Sequence, residues 1–378
     1  MSIASSDDIR LVTLLPGVMA DPIQCQLKVA TLQTKYEALS YVWGSESDAR
    51  PISVNDHELH VTFNLESALR RLRMKKQQRV LWVDALCINQ EDIPEKESQI
   101  PRMRKIYECA ETVIVWLGPS TPEMRAAYES MKSRPDLLKP ENIMKKESRE
   151  IMKEFGKGFF EPVWWTRLWV IQEVLVARKL VVIRGQISFS WNFLEMTLGK
   201  NVTGKVNPFA ASMKPQIIHH PMHYFCFYRA RLARGETIHL LGLIKVFYRH
   251  ESKLPKDRVY GLLNIAADGD DIDLYPDYSS SDSDVFKRVA KHSILKYKNL
   301  DFIFLGRGPG RLADLPTWTP DLTIPWERTP YSLLPSKEPV IFAAAAKTVA
   351  SPVFSEDLAR MTVTGVCEDV ISKVSVRP

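Results

Sequence analysis

The stretch that decides the fold runs from Val80 to Gly118 and reads VLWVDALCINQEDIPEKESQIPRMRKIYECAETVIVWLG. It opens with an unbroken apolar run, Val80–Val83, which indicates a strand buried on both faces. A second apolar run, Thr112–Leu117, follows a segment with helical spacing. A strand, a helix and a strand within about forty residues form one right-handed crossover of a parallel sheet. The stretch therefore predicts an α/β protein.

The helix of this stretch carries an internal conflict. Its apolar face consists of Ile100, Met103, Tyr107 and Ala110. Pro101 interrupts the pattern and would cost about 3 kcal/mol inside a regular helix. The helix therefore either begins near Ser98, which would cap it, or bends at Pro101.

Four apolar segments predict strands of one sheet, and they are 38–43, 80–86, 112–117 and 180–183. Residues 9–16 and 23–32 alternate and predict a small antiparallel element. Asn55-Asp56 predicts a two-residue hairpin turn between the flanking strands. A helix follows, with Asn64 as its expected cap.

The chain is expected to divide into three parts. Residues 1–190 would form the α/β domain, with a charged insertion at about 120–157 that looks like helices outside the core. Residues 191–330 predict a mainly helical region. Residues 331–378 predict a tail with short strands, which belongs either to a short protein or to a truncated gene.

The composition narrows the class of protein. The 378 residues are 45% hydrophobic and 25% charged, as in folded globular proteins. The net charge of +6 is spread out, so no nucleic-acid-binding footprint is expected, and Arg70–Arg79 is interpreted as a solvated helix face.

Five cysteines without paired spacing indicate buried, reduced thiols. No apolar run has the length of a membrane span, and no signal peptide is recognised, so a cytoplasmic location is expected.

Several motifs resemble the fungal heterokaryon-incompatibility (HET) domain. They are YEALSYVWG at 36–44, NLESALRRLR at 64–73, WVDALCINQ at 82–90, WWTRLWVIQEVLVA at 164–177 and DRVYGLL at 257–263. The resemblance covers about residues 9 to 320. It implies a cytosolic protein that triggers cell death when incompatible hyphae fuse, either by self-association or with another incompatibility protein.

A second, remote resemblance covers residues 36–185 and concerns the Toll/interleukin-receptor (TIR) domain. The order of strands and helices is similar, and so is an aromatic-x-x-x-Glu helix after the third strand, here Trp169–Glu173. In NAD-cleaving TIR domains that helix carries the key glutamate. The resemblance implies a TIR-like sheet, Glu173 as the active carboxylate, NAD as substrate and no bound cofactor.

The residues around Glu173 support two interpretations. Between Leu168 and Ala177 only Gln172 and Glu173 are polar, so the helix should be mostly buried. A buried carboxylate is costly unless it is paired or faces a cleft. Glu173 is therefore either half of an ion pair, with one of Arg167, Arg184 and Arg71, or a catalytic group that stabilises positive charge on a ribose.

Five further residues complete the predicted site. Asp84 interrupts a buried strand near its carboxyl end, where ligands bind in open α/β sheets, although it could instead cap a helix or loop near the strand end. Trp43 and Trp82 could stack on nicotinamide or adenine, or belong to the core. Gly44 would let backbone amides approach a ligand, and Trp169 shares the face of Glu173. We expect Asp84 and Glu173 to share one cleft. The alternative is a non-enzymatic signalling module that self-associates.

Other constellations are weaker. A zinc cluster of His219, His220, His223 and Cys226 lacks a further acidic or thiol ligand, so no metal is predicted. Cys87 has no histidine beside it in sequence and is interpreted as a buried thiol. The chain contains neither a GxGxxG nor a Walker loop.

Overall fold

A computed structural model of the chain describes residues 7–139, 141–142, 145–198, 220–271, 274–305, 311–324 and 350–364. The chain forms two units. Unit 1 comprises residues 1–238, 250–252 and 264–267, and unit 2 comprises 239–249, 253–263 and 268–378. The predicted domain boundaries at about 190 and 330 stay predictions.

The described part of unit 1 contains one nine-stranded sheet. Its strands are β1 (Asp8–Leu14), β2 (Gln24–Thr31), β3 (Glu37–Tyr41), β4 (Ala49–Val54), β5 (His57–Thr62), β6 (Arg79–Trp82), β7 (Thr112–Trp116), β8 (Leu180–Arg184) and β9 (Ile187–Ser190). The spatial order is β5-β4-β2-β1-β6-β3-β7-β8-β9. Helices flank this sheet, and the predicted α/β class is confirmed.

The four apolar segments lie side by side in this sheet as β6, β3, β7 and β8, and all three of their pairings are parallel. Every residue of β7 is buried, as expected for a strand covered on both faces. The prediction that these segments share one sheet is confirmed. Antiparallel pairs flank this centre, because β1 pairs with both β6 and β2, and β9 pairs with β8. Further out, β2 and β4 pair in parallel, and β4 and β5 form an antiparallel hairpin.

The first two strands were expected to form a separate small element. Instead, β1 pairs with β6 and extends the main sheet. The hairpin of β4 and β5 is confirmed, with φ of 51° at Asn55 and 65° at Asp56. Positive φ at both central residues is the requirement of a type I′ turn.

The cap of α1 (Phe63–Leu72) is not Asn64. Thr62 holds that position, and its Oγ1 accepts a hydrogen bond from Leu65 N at 3.4 Å. Asn64 instead donates to the Val42 carbonyl at 2.5 Å and accepts from Trp116 Nε1 at 2.9 Å. Its side chain thus ties α1 to the ends of β3 and β7.

Two further boundaries differ from the prediction. The strand expected over 80–86 ends at Trp82, because the amides of Leu86 and Cys87 both donate to the Val83 carbonyl and turn the backbone into α2 (Asp84–Cys87). The helix around Pro101 is bent, as one of the two alternatives predicted. A 3-10 turn, Ile100–Arg102, separates α3 (Ile93–Gln99) from α4 (Met103–Cys109).

The segment predicted as helices outside the core is helical but contributes a buried face. It forms α5 (Pro122–Ser133) and α6 (Lys146–Phe160). Phe155 stacks on Phe159 with 5.8 Å between ring centroids, and Phe189 of β9 meets both rings edge-on. Such aromatic pairs add stability beyond their buried area, so the two helices belong to the packed structure.

In the described part of unit 1, α7 (Val170–Leu175) is followed by the helices Trp191–Leu198 and Pro221–Ala233. Unit 2 contains the helices Leu240–Phe247, Asp257–Leu263 and Asp282–Tyr297 and a short hairpin, Val353–Phe354 with Met361–Thr362. Over the described ranges, we find no helix that combines the length and the apolar character needed to cross a membrane.

Candidate functional site

Glu173 lies in α7, in which every residue is buried. Glu173 itself is only 5% exposed. The hydroxyl of Ser40, on β3, donates a hydrogen bond to Oε2 of Glu173. Ser40 in turn accepts one from Trp164 Nε1 at 2.8 Å. A chain of two hydrogen bonds, from Trp164 through Ser40 to Glu173, therefore fixes the carboxylate against the central strand.

Burial is the main influence on the protonation of Glu173. It is the largest of the influences that together raise the pKa of this carboxyl to about 7, and the negative charge of Asp84 acts in the same direction. The positive charge of Arg167 and the hydrogen bond from Ser40 act in the opposite direction. Near neutral pH the group is thus poised between its neutral and ionised forms, as catalytic carboxylates commonly are.

None of the three ion pairs considered for Glu173 is formed. Among the described residues, no lysine or arginine nitrogen lies within 4.0 Å of its carboxylate oxygens. Arg167 is near enough to influence the charge, but its Nη1 donates to the Tyr41 carbonyl. Arg71 donates to the Gly185 carbonyl at 3.1 Å. A hydroxyl, and not a guanidinium, satisfies the buried carboxylate.

Asp84 begins α2 immediately beyond the carboxyl end of β6. Trp43 Nε1 donates to its Oδ2 at 2.7 Å, and the amide of Ala85 donates to Oδ1 at 2.8 Å. Burial raises the pKa of Asp84, while the bond from Trp43 and the charge of Arg167 lower it. The Asp84 carboxylate therefore accepts one hydrogen bond from the backbone of its own turn and one from Trp43, a tryptophan that was predicted to belong to the same site.

Asp84 and Glu173 lie in one electrostatic cluster. The charge of Asp84 acts on Glu173, both carboxylates act on the buried Tyr107 hydroxyl, and Arg167 acts on all three groups. Ser40 lies near the carboxyl end of β3 and Asp84 just beyond that of β6, which places the cluster at the edge expected for an α/β site. An open cleft shared by the two carboxylates stays a prediction.

The other four residues that were predicted to contact a ligand differ in how far they are buried. Trp43 is half-buried and bonded to Asp84, and Gly44 beside it is exposed with φ of 84°. Trp169 is half-buried at the start of α7. Trp82 is 1% exposed and packs edge-on against Tyr107 at 5.4 Å between centroids. Trp82 therefore lies in the core, as its alternative interpretation had it.

Comparison with known proteins agrees with the motifs. Residues 36–173 match the family described as "Heterokaryon incompatibility protein (HET)". This chain carries a HET domain. It is also similar to "Heterokaryon incompatibility protein 6, OR allele" of Neurospora crassa, with 28% identity over 399 residues, which cover 85% of this chain and 59% of that protein. The chain thus spans about three fifths of the length of this curated relative. No solved structure matches the chain significantly.

Two residues of the hydrogen-bond chain to Glu173, Ser40 and Trp164, were not predicted from the sequence. Ser40 carried a usable signal, because it is a polar interruption of the buried run around β3, just as Asp84 interrupts the run at β6. Trp164 carried none that distinguishes it from a core tryptophan. It sits in the 3-10 turn Val163–Thr166, and only the packing of that turn brings its indole to β3.

Two of the histidine and cysteine residues considered above, His220 and Cys87, are buried. His220 Nδ1 accepts from Met222 N at 3.2 Å and its Nε2 donates to the Phe160 carbonyl at 3.0 Å, so both ring nitrogens are engaged. Burial lowers its pKa to about 4. His219 lies outside the described residues. Within those residues no three His, Cys, Asp or Glu side chains are grouped to hold a metal. Burial also raises the pKa of the Cys87 thiol to about 12, which is unfavourable for a nucleophile.

Proposed function

We propose that this HET-domain protein acts in heterokaryon incompatibility, in the cytoplasm of a fungal cell, and that its activation leads to cell death. The family match and the similarity to heterokaryon incompatibility protein 6 support the biological process. The biochemical step that we propose is hydrolysis of NAD at Glu173.

The observation that carries this step is a buried carboxyl with a pKa of about 7, which lies beside a second carboxylate and has no counter-ion within 4.0 Å among the described residues. Nicotinamide leaves NAD as a neutral base, so its departure requires no general acid. The reaction requires stabilisation of the positive charge that develops on the ribose. An ionised carboxylate in a site of low dielectric provides this more effectively than one in water.

The reaction balances with water as its second reactant. The glycosidic bond between C1′ and the nicotinamide nitrogen breaks, and its electron pair leaves with nicotinamide. Water then forms the new C1′–O bond and releases one proton. Glu173 would stabilise the cationic ribose, Asp84 would accept a hydrogen bond from a ribose hydroxyl, and Trp43 would stack on a planar ring of the substrate.

A second candidate function is a non-enzymatic module that signals by association with itself or with another incompatibility protein. The observation favouring it is the closure of the site, since Glu173 is 5% exposed and its Oε2 is already bonded to Ser40. In this account the hydrogen-bond chain holds α7 on β3 and has no chemistry to perform.

Incubation of the pure protein with NAD, followed by measurement of free nicotinamide, distinguishes the two. Hydrolysis requires the ionised form of Glu173, so the rate should rise with pH through about 7. Glu173→Gln should lower the rate by about a hundredfold or more and abolish cell killing. Glu129→Gln, an exposed glutamate on α5, is the matched control.

Two results would reject hydrolysis at this site. Folded wild-type protein that releases no nicotinamide between about pH 6 and pH 8 would leave the signalling module as the function. Killing that persists in a folded Glu173→Gln variant would show that this carboxylate is not the active group.

A further inference from the structure

A cavity of about 280 Å³ lies at the carboxyl edge of β7 and β8. Trp116, the last residue of β7, forms part of its wall, and Gly185 and Gln186, which follow β8, form another. Neither Glu173 nor Asp84 lines it. The cavity is therefore separate from the carboxylate cluster.

Three arginines line the cavity, and two of them pair with no acidic group in the described part of the chain. Arg70 is neutralised by Glu66 and also donates to the Asp21 carbonyl at 3.0 Å. Arg71 uses Nε for the Gly185 carbonyl, and neither of its terminal nitrogens bonds to any described residue. Arg125, exposed on α5, likewise pairs with no carboxylate in the described part of the chain.

The surroundings of Arg71 destabilise its positive charge. Burial and the neighbouring charge of Arg79 both lower its pKa. Arg79 is itself paired with Glu37, so it has no acidic group to share. A partly desolvated guanidinium without a counter-ion is stabilised by an anion that enters its site.

The rest of the wall is suited to an organic group. Trp116 is fixed by its hydrogen bond to Asn64 at 2.9 Å, and Phe63 is 41% exposed. The segments around Ser120 and Gly185 lie in close contact at the wall of the cavity. A Cβ added to Gly185, whose φ is 56°, would lie 2.4 Å from Ser120 Oγ. Only glycine permits this approach, and the cavity is therefore formed before any ligand enters.

We propose that this cavity binds a phosphomonoester that carries one planar ring system, with the phosphate between Arg71 and Arg125 and the ring against Phe63, which is 41% exposed, while the buried Trp116 forms the wall beside it. Guanidinium groups bind phosphate oxygens through pairs of hydrogen bonds. A volume of about 280 Å³ is at the lower end for ligand cavities and suits a mononucleotide rather than a dinucleotide.

Titration calorimetry of the whole chain tests the site with adenosine 5′-monophosphate, adenosine and inorganic phosphate as separate probes. We expect the monophosphate to bind more tightly than either of its parts. Arg71→Gln and Arg125→Gln should each weaken it by about tenfold or more, because each removes a charged hydrogen-bond donor. Arg149→Gln, which removes an equal charge on the exposed face of α6, should leave binding unchanged.

Ser67→Glu provides an independent test. Ser67 lines the cavity on α1, one helical turn before Arg71, and a glutamate there would form a favourable i,i+4 pair with that arginine. This variant should melt slightly higher than wild type and lose binding of the monophosphate. Glu173→Gln should bind the monophosphate as wild type does, which separates this proposal from NAD hydrolysis.

Three outcomes would overturn the proposal. The first is no binding of the monophosphate at millimolar concentration. The second is undiminished binding in folded Arg71→Gln and Ser67→Glu variants, which would place any site elsewhere. The third is equal affinity for adenosine and its monophosphate, which would show that the arginines do not bind the phosphate.

Discussion

Replacing Glu173 by glutamine should change how the stability of unit 1 depends on pH. The pKa of this carboxyl is about 7 in the folded protein and 4.5 in its ordinary state. Between these values the folded chain binds the proton more tightly than the unfolded chain, so raising the pH removes stability. A difference of about 2.5 units corresponds to about 3 kcal/mol, lost progressively from pH 4.5 and almost completely lost by about pH 8.

Glutamine has no proton to lose and can still accept the hydrogen bond from Ser40. The variant should therefore match the wild type near pH 4 and exceed its free energy of unfolding by about 3 kcal/mol near pH 8. Urea unfolding followed by tryptophan fluorescence measures this difference, because the buried Trp164 and Trp165 report on unit 1. Titrating groups that do not interact with Glu173 act equally on both proteins and cancel.

A loss of about 3 to 5 kcal/mol in the variant at every pH would refute the reasoning, because it would indicate a buried ion pair broken by the substitution. Parallel pH profiles for the two proteins would also refute it. They would mean that the carboxyl titrates at its ordinary pKa.

Three other perturbations test the hydrogen bonds described above. Ser40→Ala removes the bond that lowers the pKa of Glu173, so the pH midpoint of nicotinamide release should move upward, and urea unfolding should show a cost of about 1 to 3 kcal/mol. Thr62→Ala should cost about 1 kcal/mol in the same assay because it removes the cap of α1. Asp268→Asn should destabilise unit 2 by about 1 to 3 kcal/mol, measured by thermal unfolding, because the carboxylate accepts bonds from the Tyr297 hydroxyl at 2.6 Å and the Leu240 amide at 2.7 Å.

The parallel centre of the sheet could be predicted because burial on both faces produces apolar runs without alternation. β3, β6, β7 and β8 all carry this signal. The position at which a strand ends is a weaker signal. Val83 continues the apolar run, yet its carbonyl starts the turn of α2, and this depends on hydrogen bonds that the run does not record.

The arginine-rich helix shows why composition alone misassigns a surface. Arg70–Arg79 was interpreted as a solvated face, and this is wrong for several of its members. Arg70 and Arg73 donate to backbone carbonyls of the loop at residues 18–22 and fasten it to α1. Since arginine combines an apolar stem with five donors, a dense arginine pattern predicts a solvated face and a loop-binding face equally well.

Glu173 was found by its isolation in an apolar helix, but its surroundings could not be deduced. Ser40 lies 133 positions away in sequence, and Trp164 lies 124 positions from Ser40. The pairing of β3 with β7 and the packing of α7 bring them together, and no local pattern encodes that distance. This is also why the ion-pair hypothesis, which searched among nearby arginines, named the wrong kind of partner.

The hydrogen-bond chain accommodates both protonation states of Glu173. When the carboxyl is ionised, Ser40 accepts from Trp164 and donates to Oε2. When it is neutral, its own hydroxyl can donate to Ser40, which still accepts from Trp164. The Ser40 hydroxyl then no longer donates to Oε2, so protonation removes the charge at the carboxyl end of β3 and reverses this one hydrogen bond while the two side chains stay in contact. The two candidate functions therefore share the same pH-dependent stability. They differ in whether the ionised form also releases nicotinamide, and that measurement decides between them.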